Sequence, residues 1–123
     1  MRKLKLSLIF VTATLMWQCT YHNEDDYFKD NPDICYTDNM SFSTHVQPVI
    51  QSNCISCHNN SNTSGGINLS TYENVKTTVE SGRLLGAIRH DQGFSPMPQM
   101  AAKLPDCTIS QIEAWIDQGL KNN

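Results

Sequence analysis

The sequence predicts an all-α domain of about four short helices. Three observations carry this expectation. Apolar residues recur at helical spacing in several separate short segments. Stretches rich in Gly, Ser and Asn divide those segments and punctuate the chain rather than build regular structure. No segment alternates apolar and polar residues over enough positions to make a convincing strand. The chain has 123 residues, 39% of them hydrophobic, which is at most one domain's worth of material, and it contains no internal repeat.

The first eighteen residues do not read as fold. Arg2, Lys3 and Lys5 precede an apolar run over 6–17 that is too short to span a bilayer comfortably and stops just before Cys19. That pattern predicts a signal peptide over 1–18 and an exported protein. Gln18-Cys19 predicts lipoprotein processing, with Cys19 acylated as the new first residue. Met16, Trp17 and Gln18 depart from the usual small-residue pattern before such a cysteine, and the alternative is ordinary cleavage that leaves Cys19 unmodified.

Removing residues 1–18 takes away three basic groups and no acids, so the formal charge falls from -3 to -6. Six acids, Glu24, Asp25, Asp26, Asp30, Asp33 and Asp38, lie before residue 40. Residues 19–40 therefore read as an acidic, lipid-anchored tether, and 41–123 as the folded domain. That body carries six acids against Lys76, Arg83, Arg89, Lys103 and Lys121, and is nearly neutral. Without a clustered basic patch, nucleic-acid binding is excluded as a reading.

Within the domain, Val46, Val49 and Ile50 predict a first helix over 44–51, with Ser43 as cap and Pro48 as a conflicting signal. His45 on that segment reads as a surface histidine. Residues 59–66 predict a loop, after which Ile67 and Leu69 offer two apolar side chains. Ser70-Thr71-Tyr72-Glu73 has the form of a capping box. It precedes a helix with Tyr72, Val75 and Val79 on one face and Gly82 at its end. Leu84, Leu85, Ala87 and Ile88 predict a further helix over 83–90. Residues 92–100 combine turn formers with Phe94, Met97 and Met100, which predicts a loop facing something apolar. Thr108, with Gln111 closing a second capping box, predicts the start of a last helix. Its apolar face is Ile109, Ile112, Trp115 and Ile116, and Gly119 stops it.

Cys54-Ile55-Ser56-Cys57-His58 carries the chemistry. Two thiols separated by two residues, followed at once by an imidazole, form the attachment signature of a c-type haem. One tight turn presents both sulfurs to the vinyl groups on one porphyrin edge, and the adjacent imidazole reaches the iron. A bare Cys-x-x-Cys would serve equally for a redox pair or half a zinc site. Of the five cysteines, assigning Cys19 to lipid and Cys54 and Cys57 to haem leaves Cys35 and Cys107 as an even remainder in an oxidising compartment, and hence as a predicted disulfide.

The order of these motifs over roughly 35–123 resembles a class I cytochrome c, and most closely the short lipoprotein cytochromes of Bacteroidetes-type bacteria. The shared features are Cys35 before the first helix, Ser95-Pro96-Met97-Pro98, and the closing Trp115-Ile116-Asp117-Gln118-Gly119. The resemblance implies one covalent haem c within the class I fold and a last helix that packs across the first. Cys54 and Cys57 would be the thioether anchors, His58 the proximal iron ligand and Met97 the distal one. Two features depart from the family pattern. No proline lies between His58 and Pro96 to accept a hydrogen bond from the proximal histidine, so backbone near Gly66 and Ile67 is the expected substitute. Gln99-Met100-Ala101-Ala102 replaces the usual glycine-rich turn, which makes Met100 the runner-up ligand.

An iron held by His and Met has no open coordination site, which suits electron transfer rather than substrate chemistry. The expected role is therefore an electron carrier and not an enzyme. It would be monomeric, work with redox protein partners, and be anchored at the exported face of a bacterial membrane. The alternative is a haem-based sensor or gas-binding module with a labile sixth ligand. A zinc site built from Cys54, Cys57, His58 and either Cys35 or Cys107 is a third reading. Arg83 and Arg89 are either partners for the haem propionates or solvated charges, and His90 is a rival distal ligand or a surface histidine.

Overall fold

In the computed structural model, which describes residues 34–123, regular structure begins at Phe42. The signal segment, Cys19 and the tether up to residue 33 lie outside the described residues. Ser41 caps the first helical stretch, its Oγ accepting from the Thr44 N–H at 3.4 Å. The cap is two residues earlier than Ser43, whose own N–H donates instead to the Asn123 carbonyl at 2.9 Å.

Pro48 explains the irregular start of this helix. Residues Phe42–Val46 form a π-type turn, and the α-helix proper, α1, runs over Gln47–Asn53. Proline lacks an N–H, and its ring crowds the carbonyl four residues back. The wider turn upstream accommodates this by moving the bonding one residue further back, as in Gln47 N–H to Phe42 O. Pro48 thus sits in the first turn of α1, where its missing donor costs least.

Three further helices follow. Helix α2 spans Tyr72–Glu80, α3 Arg83–Arg89 and α4 Asp106–Asp117. Ser70 is not the cap of α2, since the helix starts at Tyr72 and Thr71 directly before it is extended and caps it, accepting from Asn74 N–H at 3.3 Å. Gly82 joins α2 to α3 at φ 75°, a left-handed turn that glycine makes without a Cβ penalty. Helix α4 starts two residues before the expected Thr108. Leu104 precedes a proline and is biased away from helix, so the helix begins directly after Pro105. Gln111 closes no capping box there; its side chain donates to the Tyr36 carbonyl at 3.2 Å. Among the described residues the only β-type pairing is the isolated bridge between His58 and Thr63.

The core forms where α4 and α2 meet the first helical stretch. Trp115, Ile112, Val46, Val75 and Met40 are all but sealed from solvent, and Ile50, Leu69, Leu84, Ile88 and Ile109 complete the cluster. Phe42, Tyr72 and Trp115 make an aromatic trio with ring centroids 5.1, 5.5 and 6.4 Å apart. Their polar ends are satisfied locally, Tyr72 Oη donating to Leu120 O and Trp115 Nε1 to Lys121 O at 2.9 Å.

The folded unit begins at Cys35 rather than at residue 41. Residues 35–40 are held by α4. The Gln118 side chain accepts from Met40 N–H at 2.7 Å and donates to Thr37 O at 2.8 Å. Cys35 is joined to Cys107 by a disulfide with its Cα atoms 5.4 Å apart. Cys35, expected to pair with Cys107, pins the end of the acidic segment, and buried Met40 with the Gln118 side chain extends that attachment to residue 40.

Candidate functional site

The Cys54–His58 motif leaves the C-terminal end of α1 as a single closed turn. Cys54 is the C-cap, its N–H still donating to Ile50 O at 2.9 Å. Its carbonyl then accepts from both Cys57 N–H, at 3.1 Å, and His58 N–H, at 3.0 Å. The thiols and the imidazole therefore project from one rigid turn, as the sequence spacing requires for a shared ligand.

The loop after the motif folds back and clamps it. Ser64 N–H donates to Cys57 O at 3.2 Å, and Leu69 N–H to His58 O at 2.8 Å. Asn59 Nδ2 returns to Ile55 O at 2.7 Å, and Asn59 Oδ1 accepts from the N–H groups of Ser61 and Asn62, both at 2.8 Å. A stretch predicted as featureless loop is thus locally ordered by one asparagine. Arg83 Nη2 donates to Gly65 O at 3.0 Å and ties this loop to α3, a role that composition alone did not reveal.

His58 Nδ1 lies 3.3 Å from the Ile67 carbonyl. A carbonyl only accepts, so Nδ1 is the donor here, and in the neutral imidazole Nε2 then carries the lone pair. This is the orientation a metal-ligating imidazole needs, with the remote nitrogen free and the near one held by backbone. The backbone near Ile67 supplies the partner that the absent proline does not.

The two motif thiols differ. Cys57 is exposed, whereas Cys54 is half-buried, and burial pushes its thiol up to about 11. Cys54 is therefore protonated at neutral pH. The zinc reading needs Cys35 or Cys107, and both are consumed by the disulfide. Among the described residues no three of His, Cys, Asp and Glu converge as a metal-holding group.

Of the two candidate distal ligands, Met97 is half-buried and Met100 is fully exposed at φ 58°. Met97 is also fixed through its backbone, its N–H donating to Ala87 O and its carbonyl accepting from His90 Nε2, both at 3.0 Å. His90 itself is exposed and its Nε2 is committed to this bond. His45 Nδ1 accepts from Ser41 N–H at 3.0 Å, a satisfied histidine outside the site. Arg89 pairs with Glu113 on α4, Nε to Oε1 at 2.6 Å, whereas Arg83 is exposed and its bond goes to the neutral Gly65 carbonyl.

No family model matches this chain, and no curated protein or solved structure matches it either.

The residues fit a covalent haem on the chemistry of the donor set: two unpaired cysteines on one turn, an imidazole with its Nε2 lone pair unengaged by the Ile67 bond, and one methionine that is both held and sheltered. The sequence did not reveal His90 as a partner of the methionine loop. The signal was a histidine at a helix end where glycine or asparagine is usual.

Proposed function

We propose that this chain is a monohaem c-type cytochrome of the class I fold, working as an electron carrier. In this reading it is exported to the periplasm or cell surface and anchored to the membrane through lipid on Cys19. The observation that carries the proposal is the His58 imidazole, which presents a free Nε2 from the same turn that carries Cys54 and Cys57.

Haem, once attached, supplies a one-electron iron couple. Cys54 and Cys57 would hold it through thioethers, so the group would be retained without relying on binding affinity. The Ile67 carbonyl orients the His58 ring by accepting from Nδ1. Met97 presents a polarisable thioether from a backbone pinned on both sides. His58 and Met97 would both hold the iron, leaving it to exchange electrons with redox protein partners, and no substrate chemistry is assigned.

The test is redox titration of protein produced with a c-type maturation system. Reversible one-electron cycling with slow or absent carbon monoxide binding is expected. Rapid carbon monoxide binding by the ferrous protein would indicate a labile sixth site and favour a gas-sensing module. Membrane fractionation checks the anchor, since Cys19→Ser should move the protein from the detergent-released to the soluble fraction.

A further inference from the structure

His90 occupies the C-cap of α3 in the left-handed region, at φ 65° and ψ 39°. That position ordinarily takes glycine, because a Cβ is disfavoured there. A histidine in this conformation calls for a reason in its side chain, and the side chain supplies one. Its Nε2 reaches across the turn to the Met97 carbonyl at 3.0 Å, and since the carbonyl only accepts, Nε2–H donates.

The sequence around Met97 makes this donor hard to replace. Pro96 and Pro98 have no N–H, so within residues 96–98 only the Met97 N–H can donate from the backbone, and it goes to Ala87 O. The opposite side of the Met97 residue has the His90 imidazole. Both bonds end on the last turn of α3 and its cap, so the methionine is held to the helix by one backbone and one side-chain contact.

We propose that His90 is a positioning residue for the distal ligand, clamping the Met97 carbonyl and so fixing how the Met97 thioether is presented. This rests on the haem reading given above. It makes His90 a support for the ligand rather than a rival to it.

His90→Gly separates the clamp from the cap. Glycine is at ease at φ 65°, so the variant keeps the turn and its melting temperature should hold or rise, while the donor is lost. In the matured ferric holoprotein, losing one hydrogen bond should speed exchange of the Met97 amide by about two- to tenfold and tighten binding of added imidazole by a similar factor. His90→Gln, which carries N–H groups at a comparable reach, should restore both. If His90→Gly leaves amide exchange and imidazole affinity at wild-type values, the proposal is overturned. A protein that carries no haem would refute the function reading and with it the ligand role; Met97 amide exchange would still report the clamp by itself.

Discussion

At the scale of single residues, the chemistry turns on which atoms are left free. His58 is half-buried and bonded through Nδ1, Cys54 is sheltered enough to keep its proton, and Met97 is half-buried where Met100 is not. A thioether ligand stabilises ferrous iron and raises the potential. Met97→Ala should therefore lower the midpoint potential by on the order of 100 mV, a modest share of the roughly 0.8 V that axial ligands span. It should also abolish the near-infrared sulfur-to-iron band and admit carbon monoxide. Met100→Ala should change none of the three, as measured by potentiometry and absorption spectroscopy, and loss of the band in Met100→Ala alone would exchange the two roles. That Cys54, Cys57 and His58 share one turn was legible because it follows from local spacing. His90 and Arg83 were not, because each acts on a carbonyl that only the folded chain brings near.

At the scale of elements, the four α-helices among the described residues were visible in the apolar pattern, whereas the 3-10 turn at Ser64–Gly66 and the π-type turn at Phe42–Val46 were not, and most of the other errors fell at starts and caps. Ser43, Ser70 and Thr108 were reasonable caps by residue type, but none of them caps its helix, and periodicity does not register the proline that sets the start of α4. Gly86 shows the same limit from the other side. It lies inside α3, where glycine is locally unfavourable by about 1 kcal/mol relative to alanine. Its reason is tertiary, since a Cβ there would meet the Phe94 ring at 2.5 Å. Phe94 belongs to the loop that carries Met97, so the glycine seats that loop on the helix. Gly86→Ala should cost about 1–3 kcal/mol by overpacking, read from thermal melting. In a Phe94→Ala background the same change should be neutral or stabilising, and an equal cost in both backgrounds would remove Phe94 as the explanation.

For the molecule as a whole, Cys35–Asn123 is a small unit whose own core is an aromatic trio and about ten aliphatic side chains. A domain of this size is marginal without reinforcement. The Cys35–Cys107 disulfide provides some, tying the irregular segment that enters the domain to the first turn of α4 across 72 residues of sequence. Replacing both cysteines by serine should cost about 2–4 kcal/mol, read as a fall of roughly 10–30 °C in melting temperature. A double variant that melts with the parent would show that Gln111 and Gln118 hold residues 35–40 without it. A buried porphyrin would provide the larger part of the reinforcement, and its covalent attachment is the central claim. The most direct measurement is acid-acetone extraction of protein made with c-type maturation machinery, followed by a pyridine haemochrome spectrum. Haem that stays with the polypeptide and gives the two-thioether spectrum is the expected result, falling to a single thioether in Cys54→Ala. Haem that extracts freely, or that never copurifies, would contradict the reading.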